Sequence, residues 1–151
     1  MIDYMVVEYE DVVDQIKEHI HATHEEVGPF KQRPLKPNFD AYQQHADNGS
    51  LAIFAAMDGD NLIGYSVFVL GNHIFYDNLL IGMSDLVYIA PDYRGETSKE
   101  FLEFIDEKLY TDFGVDGIII SMTTKRNFSG LLEHIGYQTV GIVCSKYVGD
   151  D

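Results

Sequence analysis

Hydrophobic positions change their period several times along the chain. Val6 to Tyr9 predicts a short strand. From Asp11 to Val27 the apolar residues Val12, Val13, Ile16 and Ile20 recur at helical spacing. Asp11 and Asp14 fall in the first turn, where the helix dipole favours acids, and Gly28-Pro29 stops the helix. Asn38 to Asp47 carries a shorter, weaker helical pattern. Leu51 to Met57 and Leu62 to Leu70 are nearly all apolar, and Asp58-Gly59-Asp60-Asn61 between them is turn chemistry, so the pair predicts a β-hairpin. Leu79 to Ala90 is a further apolar run, broken by Ser84 and Asp85 and ended by Pro91-Asp92-Tyr93-Arg94-Gly95. Thr97 or Ser98 then caps a helix bearing Phe101, Leu102, Phe104, Ile105 and Leu109, which Gly114 closes. Asp116 to Met122 predicts a buried strand. Asn127 caps a short helix carrying Leu131, Leu132 and Ile135, Gly136 fits its C-terminus, and Tyr137 to Val148 supplies one or two final strands.

The resulting order is β-α-α-β-β-β-α-β-α-β-β. Interleaved helices and strands place the chain in the mixed α/β (α+β) class, around one largely antiparallel sheet. No linker, repeat or low-complexity tract divides it, and Pro29 to Pro37 reads as a loop, so residues 1–151 are expected to form a single domain. No apolar run reaches the roughly 18 residues a bilayer span needs. Met1-Ile2-Asp3-Tyr4 lacks the features of a signal peptide. The one cysteine, Cys144, excludes an intramolecular disulfide and fits a reducing compartment. These features predict a soluble, cytoplasmic protein that engages no membrane.

Charge narrows the partners. Twenty-five acids against ten bases leave a formal net charge of −15. Such a surface repels nucleic-acid phosphates and favours a cationic partner: an amine, a polyamine or a basic protein patch. Two other readings of the same charge are solubility alone and mimicry of DNA by an acidic surface.

The stretch from Asp85 through Ser98 carries the most chemistry. A strand runs into a tight loop, and the loop opens a helix. The first amides of that helix have no internal partners and point outward with partial positive charge, which suits an anion such as a pyrophosphate. Gly95 permits close backbone approach, Arg94 adds a fixed positive charge, and Thr97 and Ser98 offer hydroxyls. The competing reading is a plain capped helix with a surface arginine.

These residues resemble the acyl-CoA-binding motif of the GNAT superfamily of N-acetyltransferases. Val87-Tyr88-Ile89-Ala90-Pro91 is similar to the strand end of that motif, and Tyr93-Arg94-Gly95 to the start of its loop. Asn127 followed by Leu131-Leu132-Glu133-His134-Ile135-Gly136-Tyr137 resembles a second motif of the family, and the element order agrees over nearly the whole chain. The resemblance implies a single GNAT-like domain with acetyl-CoA as cosubstrate. It places cosubstrate contacts at Val87, Tyr88, Ile89, Arg94, Gly95, Glu96, Thr97, Ser98, Lys99 and Asn127. It also implies direct attack of a primary amine, on a small amine or a basic peptide, with a backbone N–H between Val87 and Ile89 stabilising the oxyanion. The chain departs from the pattern in two places. Thr97 and Lys99 stand where the loop usually has small residues, and Leu132 stands where many members have an acidic tyrosine. Tyr147 is the candidate general acid in its place, with Ser121 and Cys144 as alternatives. Asp85 is the candidate base: by alternation it shares a face with Met83 and Val87, and burial in an apolar strand is expected to raise its pKa.

Other clusters are weaker. Lys31, Arg33 and Lys36, in the loop that is the family's usual acceptor side, and Lys125-Arg126 suit either an acidic group or plain solvation. His21 and His24 have the spacing to meet on one helix face, but His19 points elsewhere and no carboxylate completes a metal set, so the three read as surface histidines. Cys144 reads as an inert buried thiol. Family members often dimerise through their C-terminal strands, and Gly141 to Val148 permits a homodimer. The opposing hypothesis is a catalytically inactive acidic binding protein on the same fold, acting on a protein partner, in the extreme case as a DNA mimic.

Overall fold

The computed structural model describes residues 1–27, 30 and 34–149. One five-stranded sheet runs in the order β1 (Ile2–Val7), β2 (Leu51–Asp58), β3 (Asn61–Asn72), β4 (Leu80–Ile89) and β5 (Gly117–Ile119). The pairings are antiparallel except the last, where β5 lies parallel to β4. The helices are α1 (Tyr9–Val27), α2 (Phe39–Asp47), α3 (Glu96–Thr111) and α4 (Ser129–His134). The mixed class and the largely antiparallel sheet follow the sequence pattern. No helix among the described residues is long and apolar enough to cross a membrane.

The core has two halves, one on each face of the sheet. Ala52, Phe54, Ala56 and Phe68 point to one face and meet Phe101, Ile105 and Leu109 of α3. Ile53, Ala55, Tyr65 and Tyr88 point to the other and meet Tyr9, Val12 and Ile16 of α1, with Phe39 and Tyr42 of α2 against them. β2 is therefore covered on both faces, which is why its sequence is a continuous apolar run and not an alternating one. The apolar stripe of α3, Phe101, Leu102, Ile105 and Leu109, falls one, three and four residues apart and faces the sheet.

Several boundaries differ from the sequence reading. The first strand begins at Ile2 and ends at Val7, because Ile2, Tyr4 and Val6 alternate onto the α3 face, while Tyr9 already belongs to α1 and is buried. α3 starts at Glu96 with Gly95 as its cap, so Thr97 and Ser98 lie inside the first turn. β5 has only three residues. Among the described residues from 137 to 149 no strand forms, and Val140, Ile142, Val143 and Val148 are exposed. β-Branched residues alone do not make a strand, and the short edge of β5 offers little backbone to pair with. Cys144 is consequently exposed rather than buried. The helix stop expected at Gly28-Pro29 lies outside the described residues.

Candidate functional site

β4 has one edge paired along its length and the other edge open at its end. Ala90 N–H donates to the Ile63 carbonyl at 2.7 Å. Hydrogen-bonded pairs alternate along an antiparallel ladder, so Tyr88 and Leu86 also turn their backbone groups toward β3. Val87 and Ile89 then present theirs to the far edge. Arg94 agrees with this parity: its Nε donates to the Ile89 carbonyl at 2.9 Å. On that far edge β5 pairs only with Ile81 to Met83. Beyond this, the Ser121 N–H donates to the Ser84 hydroxyl at 3.0 Å, and the strand pairing stops. Val87 and Ile89 therefore offer backbone groups that β5 does not take. Tyr88 differs: its backbone faces β3 and its ring is buried in the α1-side core.

Asp85 owes its position to a bulge. Val67 pairs with Leu86 and Phe68 pairs with Ser84, which leaves Asp85 as the extra residue of β4. The bulge breaks the simple alternation that grouped Asp85 with Val87. The carboxylate instead lies on the face of α2, where the Tyr42 hydroxyl donates to Oδ2 at 2.5 Å. Asp85 is exposed, so the burial expected from its apolar strand is absent. Burial pushes the Tyr42 hydroxyl well above its usual range, and the bond to Asp85 and its charge add to the shift. Tyr42 therefore remains a neutral donor that fixes the carboxylate. Nearby, burial pushes the Tyr65 hydroxyl up to about 12. It shares a hydrogen bond with Thr23 at 3.1 Å. Sequence reasoning passed over Tyr42. The signal was the spacing of Phe39, Tyr42 and Ala46, three and four residues apart, which puts the three on one face of α2.

The loop after β4 makes a single 3₁₀ turn at Pro91–Tyr93. The Tyr93 hydroxyl ties it to Asp58 Oδ2 at 2.7 Å. Gly95 adopts φ 109° and ψ −123°, a region open only to glycine. The first helical bond runs from Lys99 N–H to the Gly95 carbonyl, so the amides of Glu96, Thr97 and Ser98 precede the ladder. Thr97 has a helical backbone, as its β-branch requires. Lys99 extends along the helix to Glu103 at 3.4 Å. The Glu96 side chain is exposed in the same turn and brings a negative charge to this end of α3.

The remaining candidates are scattered. Asn127 is exposed, and its Oδ1 accepts from Ser129 N–H at 3.0 Å, but the N-cap position of α4 is Phe128, so Asn127 sits one residue before the cap expected of it. Gly136, at φ 107°, ends that helix, with Tyr137 N–H donating to the Leu132 carbonyl at 3.0 Å. Leu132 is buried and carries no ionisable group. Tyr147 is half-buried, its ring 6.1 Å from that of Phe30 in the α1–α2 connection. His19 is not a surface histidine: its Nε2 lies 2.9 Å from the Leu62 carbonyl, and its ring packs near Tyr65 and Tyr88. Lys31 and Arg33 lie outside the described residues.

No family model matches the chain, and no curated protein matches it in sequence. Solved structures do match. An aminoglycoside acetyltransferase from an uncultured soil metagenomic sample, in complex with sisomicin, superposes with a TM-score of 0.74 at 10% identity, over 99% of this chain and 97% of that one. AAC(6')-Iy in complex with the bisubstrate analogue CoA-S-monomethyl-acetylneamine gives 0.70 at 12% identity over 99% of each chain. A transcriptional regulator from Bacillus halodurans C-125 gives 0.75 at 12% identity, over 98% of this chain and all of that one. At these identities the likeness concerns architecture, and the chain has the fold of the GNAT acetyltransferases.

Proposed function

We propose that this chain is an acyl-CoA-dependent N-acetyltransferase that moves the acetyl group of acetyl-CoA to a primary amine. The observation that carries the reading is two groups of outward backbone donors, one on either side of Arg94. The open edge of β4 at Val87 and Ile89 leads through Arg94, anchored on Ile89, to the outward amides of Glu96, Thr97 and Ser98. A pantetheine arm pairs with the first part, and a pyrophosphate sits on the second. Lys99, one turn into α3, and Asn127, before α4, are assigned as further contacts. The fold likeness to a protein crystallised with a CoA-based bisubstrate analogue supports the same reading.

The chemistry follows from positions. Asp85 takes a proton from the incoming ammonium, directly or through water, and Tyr42 holds the carboxylate in place. The freed amine attacks the thioester carbonyl, a C–N bond forms, and a β4 backbone N–H stabilises the oxyanion. The C–S bond then breaks. The CoA thiolate is a fair leaving group near neutral pH, so Tyr147 assists as an acid without being indispensable. Positioning of the two substrates is the largest contribution, roughly 7–11 kcal/mol in favourable cases. The enzyme acts in the cytoplasm, and the acidic surface favours cationic acceptors. The exposed apolar segment at Val140 to Val148 suits a homodimer contact.

Isothermal titration with acetyl-CoA tests the reading. Micromolar binding that Arg94→Ala weakens at least tenfold, about 1.4 kcal/mol, is expected. Absence of heat at millimolar acetyl-CoA overturns it.

A further inference from the structure

Beside Asp85, between α1, α2 and the β3–β4 surface, lies a narrow crevice of about 20 Å³ with an entirely apolar lining. Tyr9, Ile16, Phe39, Tyr42, Tyr65 and Leu86 contribute to it. Its three phenols have their hydroxyls engaged elsewhere. Tyr9 donates to the Phe39 carbonyl at 3.5 Å, Tyr42 to Asp85 at 2.5 Å, and Tyr65 shares its bond with Thr23 at 3.1 Å. What remains inside is ring face and aliphatic carbon. The Asp85 carboxylate is tied to this lining through the Tyr42 hydroxyl and is next in sequence to Leu86.

Resting on the acetyl-transfer reading, we infer that the acceptor is a small primary monoamine with a slim aliphatic substituent. Asp85 takes the ammonium and the crevice takes the carbon chain. An aminosugar or polyamine fits poorly here. Its further hydroxyls or ammonium groups lose their water against a lining with no spare acceptor. The free space holds roughly one water-sized or methyl-sized group, so it admits a chain end and not a ring.

The test uses the whole chain and simple probes: methylamine, n-butylamine, 1-butanol, glucosamine and spermidine. Each is titrated without acetyl-CoA, and each amine is then assayed for acetylation with it. A methylene that leaves water gains about fourfold in affinity. n-Butylamine is therefore expected to bind at least fourfold tighter than methylamine and well above 1-butanol, and to exceed spermidine and glucosamine in kcat/KM. Phe39→Ala is expected to flatten the dependence on chain length while acetyl-CoA still binds; if that variant fails to fold, the wild-type series decides. Acetyl-CoA binding with a flat series, or with spermidine or glucosamine preferred, overturns the inference and leaves acetyl transfer standing. Chain-length-dependent amine binding without acetyl-CoA binding overturns acetyl transfer and the acceptor role with it, and leaves only an amine-binding crevice. Absence of both overturns both.

Discussion

Gly95→Ala isolates the backbone at the mouth of α3. Gly95 caps the helix at φ 109° and ψ −123°. A Cβ added there meets nothing within 4 Å, so no clash enters the effect. What enters is the energy of holding an L-residue in a region that essentially only glycine occupies, about 1–3 kcal/mol. The chain has two ways to meet this cost. If the loop keeps its shape, the folded state loses stability. At roughly 2–4 °C per kcal/mol for a chain of this size, the melting temperature falls by about 2–12 °C. If the loop relaxes instead, the amides of Glu96, Thr97 and Ser98 lose their alignment, and acetyl-CoA binding weakens by about 5- to 150-fold. Calorimetric melting and acetyl-CoA titration of one preparation measure the two together, and their sum should fall in that range. Gly130→Ala is the control. Gly130 lies inside α4 with open space around it and no positive φ, so alanine there should be neutral or stabilising by up to about 1 kcal/mol. A Gly95→Ala protein with unchanged melting and unchanged affinity would refute the reasoning.

Three further outcomes are expected. Tyr42→Phe removes the donor that holds Asp85, so kcat/KM for the amine should fall about tenfold while acetyl-CoA affinity stays put; steady-state kinetics with both substrates varied separates the two. Glu96→Gln removes the like charge beside the outward amides of α3 and should tighten acetyl-CoA about twofold at low salt, an effect that roughly 1 M salt abolishes. Stability should fall between about pH 10 and 12: the unfolded chain ionises its phenols near 10, whereas Tyr65 stays neutral to about 12 and Tyr42, Tyr4 and Tyr137 shift the same way. Below that window both states are neutral and nothing is lost; across it Tyr65 alone accounts for about 3 kcal/mol, read as the drop in urea midpoint that Tyr65→Phe lessens.

What was legible in the sequence was local. The apolar stripe of α3, the doubly covered β2 and the Asp58–Asn61 turn each leave a complete pattern within one short window, and the structure places all three accordingly. The strand-to-helix passage at Ile89 to Glu96 is equally local, since its Pro, Arg and Gly lie within a few residues of one another. The C-terminal strands were not legible in the same way. A run of β-branched residues states a preference, but pairing needs a partner edge, and β5 provides three residues. Asp85 shows the limit most sharply. Alternation grouped it with Val87 wrongly because a single bulge between them shifts the count, and nothing in the apolar run from Leu79 to Ala90 marks where the extra residue falls. The partner that then defines its environment, Tyr42, lies 43 positions away on a helix whose own pattern is weak. The passage from β4 into α3 needs only a local turn, whereas the Asp85–Tyr42 pair is assembled across the fold. The first is therefore open to sequence reasoning in a way the second is not.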